Sequence, residues 1–205
     1  MSSARRGLHL AAALAAAFLA LAGAVRAAWI PVKAELAQWL IERSWQRERA
    51  GEATPPWPWA DTRAAALLTV PRLQQRLVVL DGQSGRNLAF GPVLLDGSRP
   101  GGDTVISGHR DTHFRFLRAL EAGDLLQIEI RDFSAWYEVR EIDVVDSRRR
   151  ELVIEPGVDR VSLVTCYPFD SAAAGGPLRY VVTAYPVEPQ SPFAVPVSRR
   201  SPASG

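Results

Sequence analysis

Several residues next to apolar runs could perform covalent chemistry together. Two of the three histidines, His109 and His113, lie four residues apart, and the only cysteine, Cys166, ends an apolar run. Arg179 follows thirteen residues later, at the start of another β-like run. A thiol is an effective nucleophile only as the thiolate, and a neighbouring imidazole commonly maintains that form. The order strand, cysteine, loop, arginine, strand therefore predicts a thiolate facing a guanidinium.

Each of these residues also has an ordinary structural interpretation. A histidine after a strand is more often structural, Cys166 suits a buried core as well as an active site, and an arginine usually lies on the surface. His109, however, follows Gly108 where a predicted strand leaves the sheet. That position suits a side chain that projects from a rigid scaffold into a cleft. The prediction therefore depends on the combination of residues.

The composition is that of an ordinary globular domain. The chain has 205 residues, of which 47% are hydrophobic and 22% charged, enough for one well-buried core. The formal net charge is only +2, and acidic and basic residues are interleaved. The basic cluster at residues 148–150 lies in a predicted loop and is too small for a nucleic-acid site. We therefore expect no nucleic-acid partner.

The N-terminal segment predicts export from the cytoplasm. Residues 10–25 are almost entirely Ala and Leu, and apolar character resumes beyond Arg26 as far as Ile30. This run reaches membrane-spanning length if Arg26 extends toward the interface, so we expect residues 1–31 to form a cytoplasmic tip and a transmembrane anchor. The alternative is a signal peptide cleaved after the small residues 22–24. Either interpretation exports the rest of the chain.

Residues 32–60 are expected to connect the anchor to the folded domain. A single apolar stripe over residues 32–50 predicts a juxtamembrane helix packed on its own domain. The prolines of residues 53–60 predict a rigid, extended linker. Five of the six tryptophans lie between residues 29 and 59, where they suit either a membrane-interface belt or a strap across the domain.

Residues 61–187 predict a mainly β domain. Short β-like runs alternate with turn residues, without βαβ alternation, which is typical of a sandwich or barrel. One helical insert is expected over Thr112–Leu120, with Asp111 as its N-cap. Residues 188–205 are rich in Pro, Ser and Arg and predict a disordered tail. The predicted strands are Ala65–Val70, Gln75–Leu80, Leu88–Pro92, Asp103–Ser107, Leu125–Arg131, Trp136–Val145, Val161–Cys166 and Tyr180–Val187.

Four motifs in this order resemble the sortases, which are cysteine transpeptidases built on a closed eight-stranded β-barrel with short helices. The motifs occupy residues 88–92, 108–114, 164–170 and 179–182. The resemblance runs from the N-terminal anchor to the last strand and is strongest for the proteobacterial GN-class. It implies that such a barrel follows the transmembrane and juxtamembrane helices.

The resemblance also implies roles for three residues. Cys166 would be the nucleophile, His109 its acid and base partner, and Arg179 the third active-site residue. His113 belongs to the same motif without being the catalytic histidine of the family. Because arginine stays protonated in proteins, Arg179 cannot act as a base, and its charge suits a substrate carbonyl or a developing oxyanion.

Three neighbouring residues are weaker candidates. The backbone N–H of Tyr167, directly after the nucleophile, is a candidate second oxyanion donor. Thr165 could orient substrate or simply pack in its strand. Asp111 could orient His109, although the capping role is favoured.

The expected protein is a single-pass component of the bacterial inner membrane with its catalytic domain on the periplasmic side. It would cleave a C-terminal sorting signal of a protein substrate through a thioacyl intermediate and transfer the product to an amine of unknown identity. A cysteine peptidase that uses water and a non-catalytic β-barrel binding module are the alternatives. A papain-like enzyme is disfavoured because His109 precedes Cys166. We expect no cofactor, zinc or calcium, since neither ligand spacing is present.

Overall fold

Eight strands of the described chain close into one barrel in the computed structural model. The structure describes residues 14, 16–18, 20, 23, 33–82, 84–99, 101–149, 154–171 and 175–188. Outside the strands it contains helix α1 over residues 33–49, a short 3-10 turn at Pro71–Leu73, the single turn α2 (Gly85–Leu88) and a 3-10 helix at Arg115–Ala119. Residues 14, 16–18, 20 and 23 are also helical. The strands are β1 (Ala64–Val70), β2 (Gln75–Leu80), β3 (Val93–Leu94), β4 (Asp103–Ser107), β5 (Leu125–Ile130), β6 (Phe133–Asp146), β7 (Arg160–Cys166) and β8 (Leu178–Val187).

The strand order places three strand ends next to one another. The order around the barrel is β1-β2-β3-β4-β7-β8-β6-β5, and β5 pairs with β1 to close it. Strand β4 is parallel to β7, whereas β7 is antiparallel to β8. The last residues of β4 and β7 therefore meet the first residues of β8 at the same rim of the barrel.

A buried ion pair fixes the register of β4 and β7 at their other ends. Asp103 and Arg160 are register partners, and the Arg160 guanidinium donates two hydrogen bonds of 2.9 Å to the Asp103 carboxylate. The backbone N–H of Glu155 donates a third, at 2.7 Å. Since a buried carboxylate left without its partner is strongly unfavourable, this contact specifies the pairing of the two strands.

Side chains alternate between the inside and the outside of the barrel, as the pleat of each strand requires. One apolar cluster lies on the outer face of the barrel and contains Val105, Val164 and Val181. The inner core is formed by Ala66, Leu68, Val70, Val79, Ile106, Phe114, Leu117, Leu120, Leu126, Ile128, Tyr137, Val139, Val161, Leu163, Val182 and Ala184.

Helix α1 packs on the barrel, as its apolar stripe predicts. Ile41 and Trp45 are 2% and 0% exposed and lie against apolar residues of β1, β2 and β3. The Arg76 guanidinium donates hydrogen bonds of 2.8 and 3.0 Å to the Glu42 carboxylate. Gly51 follows the helix with a φ of +86°, a left-handed conformation that favours glycine.

The proline-rich segment after α1 contacts the folded domain, in agreement with the strap that is one of the two interpretations of its tryptophans. The Ser44 hydroxyl donates to the carbonyl of Thr54 at 2.6 Å, and Trp57 packs edge-on against Phe90 with ring centroids 5.0 Å apart. Packing of the aromatic ring holds the segment against the barrel, which the proline count does not reveal. Trp59, in contrast, is 82% exposed.

The predicted strand Leu88–Pro92 is wrong. The Ser84 hydroxyl accepts a hydrogen bond from the Asn87 N–H at 3.2 Å and caps the turn α2, and the strand begins only at Val93. This local side-chain cap outweighs the short apolar run.

The predicted helix Thr112–Leu120 is replaced by turns and the 3-10 helix. Asp111 does not cap it, because no side chain caps this helix, and the Asp111 carboxylate instead lies 3.4 Å from the Arg110 guanidinium. The segment still contributes apolar side chains to the barrel, since Phe114, Leu117 and Leu120 all enter the inner core.

The described residues contain no helix long and apolar enough to cross a bilayer. Most of the predicted anchor, residues 1–31, lies outside the described residues, as does the predicted tail beyond Glu188.

Candidate active site

Cys166 and Arg179 lie directly opposite each other on adjacent strands. Cys166 is the last residue of β7, and Arg179 is its register partner near the start of β8. Directly opposed residues of an antiparallel pair point to the same face of the sheet. The guanidinium and the thiol therefore share one side of the barrel wall.

His109 is on the other side of Cys166. The parallel pairing of β4 with β7 ends with Ser107 opposite Val164, and the Gly108 N–H donates to the Val164 carbonyl at 3.1 Å. His109 follows two residues after the end of β4, at the rim where β7 ends in Cys166. The structure thus brings all three predicted residues to neighbouring strand ends, with the cysteine in the middle.

The site opens outward. Leu163 on β7 belongs to the inner core, whereas Val164 belongs to the outer cluster. Because side chains alternate, Cys166 shares the outer face with Val164. Cys166 is half-buried and His109 exposed, so both side chains are accessible from solvent.

Thr165 binds the start of the histidine loop. Its side chain is buried, and its hydroxyl donates to the Gly108 carbonyl at 2.7 Å. Of the two interpretations open from the sequence, burial and this hydrogen bond favour packing within the structure. The bond joins the residue before the cysteine to the residue before the histidine.

Tyr167 does not offer its backbone N–H to an oxyanion in this structure. That N–H donates to the Leu178 carbonyl at 3.0 Å, because pairing of β7 with β8 continues one residue past Cys166. The candidate role as second oxyanion donor is thus corrected. The Tyr167 ring stacks on Tyr180 with centroids 6.1 Å apart.

Arg179 is anchored by its own turn. Its Nη1 donates to the carbonyls of Gly176 and Leu178 at 2.6 and 2.9 Å. Both hydrogen bonds come from Nη1, so this end of the planar guanidinium is fixed. An arginine held in this way is a preorganised positive group for charge that develops at Cys166.

Arg110 is a residue of the site that the sequence analysis missed. It is only 6% exposed, and its Nη1 and Nη2 donate to the carbonyls of Pro168 and Ser171 at 2.9 and 2.7 Å. The contact spans about sixty residues, so no periodicity or spacing in the sequence indicates it. Its position directly after His109 is the one signal that could have suggested it.

Gly108 allows the histidine loop to pass closely over the core. A Cβ at this position would meet the Phe114 ring at 2.6 to 2.9 Å, closer than carbon atoms approach in proteins. Phe114 is fully buried, so it has little room to move away. Glycine is therefore required by packing, where the sequence showed only a strand exit.

His113 lies apart from the strand ends. It lines a cavity of about 340 Å³ together with residues of α1 and β2, including Glu42 and Arg76. Burial, and secondarily the charge on His109, lowers the pKa of His113 below its usual value, which favours the neutral ring. In the part of the chain that the structure describes, no group of three or more His, Cys, Asp or Glu residues could hold a metal ion.

Comparison with known proteins gives consistent matches. The sortase domain family model matches residues 68–187. Sortase D of Bacillus subtilis is 31% identical over 124 residues, which are 58% of this chain and 62% of that protein. The structure of sortase C1 of Streptococcus agalactiae is similar, with 26% identity and a TM-score of 0.54 over 60% of this chain and 66% of that one. Sortase A of Corynebacterium diphtheriae matches with 27% identity and a TM-score of 0.54 over 66% and 65%. The chain thus spans less than two thirds of each of these relatives.

Proposed function

Since the chain belongs to the sortase family, we propose that it is a cysteine transpeptidase that cleaves a C-terminal sorting signal and joins the new carboxyl end to an amine. The observation that carries this proposal is the order of three neighbouring strand ends, with Cys166 between His109 and Arg179. A nucleophile flanked by an acid and base group and by a fixed cation has the components that acyl transfer requires.

The first half-reaction forms a thioester. The Cys166 thiolate attacks a backbone carbonyl carbon of the substrate, and the negative charge moves to the carbonyl oxygen, where the Arg179 guanidinium stabilises it. The C–N bond then breaks, and the imidazolium of His109 gives its proton to the departing amine. The acyl group remains on the sulfur, and His109 is left neutral.

The second half-reaction restores the enzyme. An incoming amine attacks the thioester carbonyl, and neutral His109 accepts the proton that the amine loses. The C–S bond breaks, an amide forms, and the thiolate and imidazolium are recovered. A peptidase would follow the same steps with water in place of the amine, so the second half-reaction separates the two activities.

We further propose that residues 1–31 anchor the chain in the inner membrane of a Gram-negative cell, with the barrel on the periplasmic side. The support is the apolar sequence of residues 10–30, with Arg5 and Arg6 preceding it, and the resemblance to GN-class sortases. Fractionation of cells that produce the tagged full chain, with protease added to spheroplasts, tests this placement. Recovery of an intact chain in the cytosolic fraction would contradict it.

The catalytic proposal is tested with the full chain in a mild detergent. It is incubated with a library of peptides that resemble sorting signals, and Cys166 is examined for an acyl adduct by intact mass spectrometry. An adduct that an added amine converts to an amide product supports the transpeptidase, and loss of the adduct only to water favours the peptidase. The Cys166→Ala variant should form none, and His109→Ala should form it orders of magnitude more slowly.

A matched control is available in the same motif. His113→Ala removes the neighbouring histidine and should leave adduct formation within a few-fold of the unaltered chain. Complete absence of adducts, together with a Cys166 thiol that resists iodoacetamide until the protein is unfolded, would leave a non-catalytic binding module as the correct interpretation.

A further inference from the structure

The segment that follows the nucleophile, residues 167–171, is held from the opposite side of the site by one side chain. Arg110 uses two nitrogens of its fork to bind two carbonyls of this segment, those of Pro168 and Ser171. Because the two acceptors are three residues apart, the segment is fixed at two points and cannot pivot about Cys166.

Two sets of hydrogen bonds connect the residues around the histidine with the residues around the cysteine. The residue before the cysteine, Thr165, binds the carbonyl of the residue before the histidine, Gly108. The residue after the histidine, Arg110, binds the segment after the cysteine. These hydrogen bonds therefore lie on both sides of the His109 and Cys166 pair.

The burial of Arg110 points to a role beyond filling space. Its side chain is 6% exposed, and its ion-pair partner, Asp111, is 69% exposed and 3.4 Å away. Burying a guanidinium is costly unless its donors are used, and an apolar side chain would fill the same volume at a smaller cost. What the arginine adds is the directed geometry of two hydrogen bonds.

The same segment has a second contact that serves as a comparison. Arg118 lies 3.4 Å from Asp170, with the two side chains 43% and 92% exposed. An ion pair this exposed contributes little to stability or geometry. The chain thus offers a buried and an exposed arginine that contact one segment.

We propose that Arg110 is a positioning residue for the proposed reaction. By fixing residues 167–171 against the histidine loop, it holds the Cys166 thiol where His109 can exchange a proton with it. The inference rests on the proposed function, because positioning matters only if the thiol is activated. Small displacements of a reacting group are sufficient to slow an enzymatic step by about 10²-fold.

The test is the rate at which iodoacetamide alkylates Cys166 in the full chain, measured from about pH 6 to about pH 9, where imidazole and thiol groups titrate. The variants are Arg110→Met, Arg110→Lys and the control Arg118→Met. The other charged groups around the contact, Asp111 and Asp170, are unchanged in all of them. Circular dichroism and thermal unfolding are recorded for each variant.

We expect the unaltered chain and Arg118→Met to be alkylated at the same rate at each pH. Arg110→Met should be alkylated about tenfold more slowly near neutral pH, with its profile displaced to higher pH, while the far-UV spectrum stays native. Arg110→Lys, which keeps the positive charge but not the planar arrangement of donors, should be alkylated at an intermediate rate.

An unchanged profile in a folded Arg110→Met variant, with only a lower melting temperature, would overturn the inference and leave the arginine as a structural residue. If Arg110→Met does not fold, the alkylation profile of folded Arg110→Lys is compared with that of the unaltered chain instead. An unchanged profile again overturns the inference. A different failure concerns the proposed function itself. If Cys166 of the unaltered chain resists iodoacetamide at every pH until the protein is unfolded, the thiol is inert and both proposals are wrong.

Discussion

Arg179 faces Cys166 as its register partner across β7 and β8, and its guanidinium is already fixed before any substrate arrives. The carbonyls of Gly176 and Leu178 hold one nitrogen of the fork at 2.6 and 2.9 Å. A group that needs no reorganisation during the reaction stabilises developing charge more effectively than a mobile one. The geometry of this arginine, and not only its charge, should therefore matter.

Replacing Arg179 separates charge from geometry. Arg179→Ala should slow acylation of Cys166 by roughly 10²–10³-fold, as is typical for loss of one oxyanion-stabilising group. Arg179→Lys keeps the charge without the planar fork and should recover only part of the rate. The rate of acyl-adduct formation in intact mass spectra measures both. The exposed Arg63, replaced by Lys, is the control, and an Arg179→Lys rate equal to that of the unaltered chain would contradict the expectation.

Gly108→Ala should strain the histidine loop. The added Cβ would meet the Phe114 ring at 2.6 to 2.9 Å, and overpacking of this kind typically costs about 1–3 kcal/mol. Urea unfolding measures the loss in stability. The cost should be smaller in a Phe114→Leu background, which makes room for the methyl group, so the two substitutions should be non-additive. Additive effects would show that the ring does not limit this position.

Parts of the fold could be predicted from the sequence because their signals are local. Strands β2 and β4 were predicted to the residue, since turn residues bound each apolar run. The turn α2 was missed because one hydroxyl, that of Ser84, decides its conformation. Tertiary packing likewise determines the path of the Pro- and Trp-rich strap, which composition alone described as extended.

The candidate site was predictable to a similar extent. The order and strand-end positions of His109, Cys166 and Arg179 are visible in the sequence, and the pairing of β4, β7 and β8 brings them together. The bonds of Thr165 to Gly108 and of Arg110 to Pro168 join residues 57 and 58 positions apart. No pattern in a single sequence specifies such contacts. The hydrogen bond of the Tyr167 N–H followed from strand pairing that extended one residue farther than expected.

Docking of α1 should depend on one tryptophan. Trp45 is fully buried, and truncating a buried tryptophan to alanine typically costs about 3–5 kcal/mol. Trp39 on the same helix is 55% exposed, so Trp39→Ala should cost about 1 kcal/mol or less. Guanidinium chloride unfolding of the two variants gives the comparison. Equal losses would mean that α1 does not pack as described.

Stability should fall on mild acidification through His113. Burial holds its pKa in the folded chain below the ordinary value of 6.5, so the unfolded chain binds the proton more readily. The free energy of unfolding should therefore decrease as the pH falls below about 6.5 and level off only below the folded-state pKa. Unfolding curves between about pH 7 and about pH 5 should show a shallower decrease for His113→Gln.

The carboxylates of Glu42 and Asp124 do not obscure the pH range in which the effect of His113 is expected. Hydrogen bonds from Arg76 and Arg72 lower the pKa values of Glu42 and Asp124, respectively, so their stabilising contributions are lost only at lower pH. An identical slope for His113→Gln and the unaltered chain between about pH 7 and about pH 5 would show that this histidine is not the group responsible.

The packing of α1 has a mechanical consequence. With Ile41 and Trp45 locked against the barrel, the helix and the barrel rotate as one body, and α1 acts as a bracket about 25 Å long. A flexible linker would instead let the end of the barrel that carries Cys166 adopt many orientations. Under the proposed anchoring of residues 1–31, such a bracket would keep Cys166 at a defined distance from the start of α1. Substrate and acceptor of the proposed reaction would then have to reach that position, and lengthening α1 by one helical turn would move it by about 5.4 Å with almost no rotation.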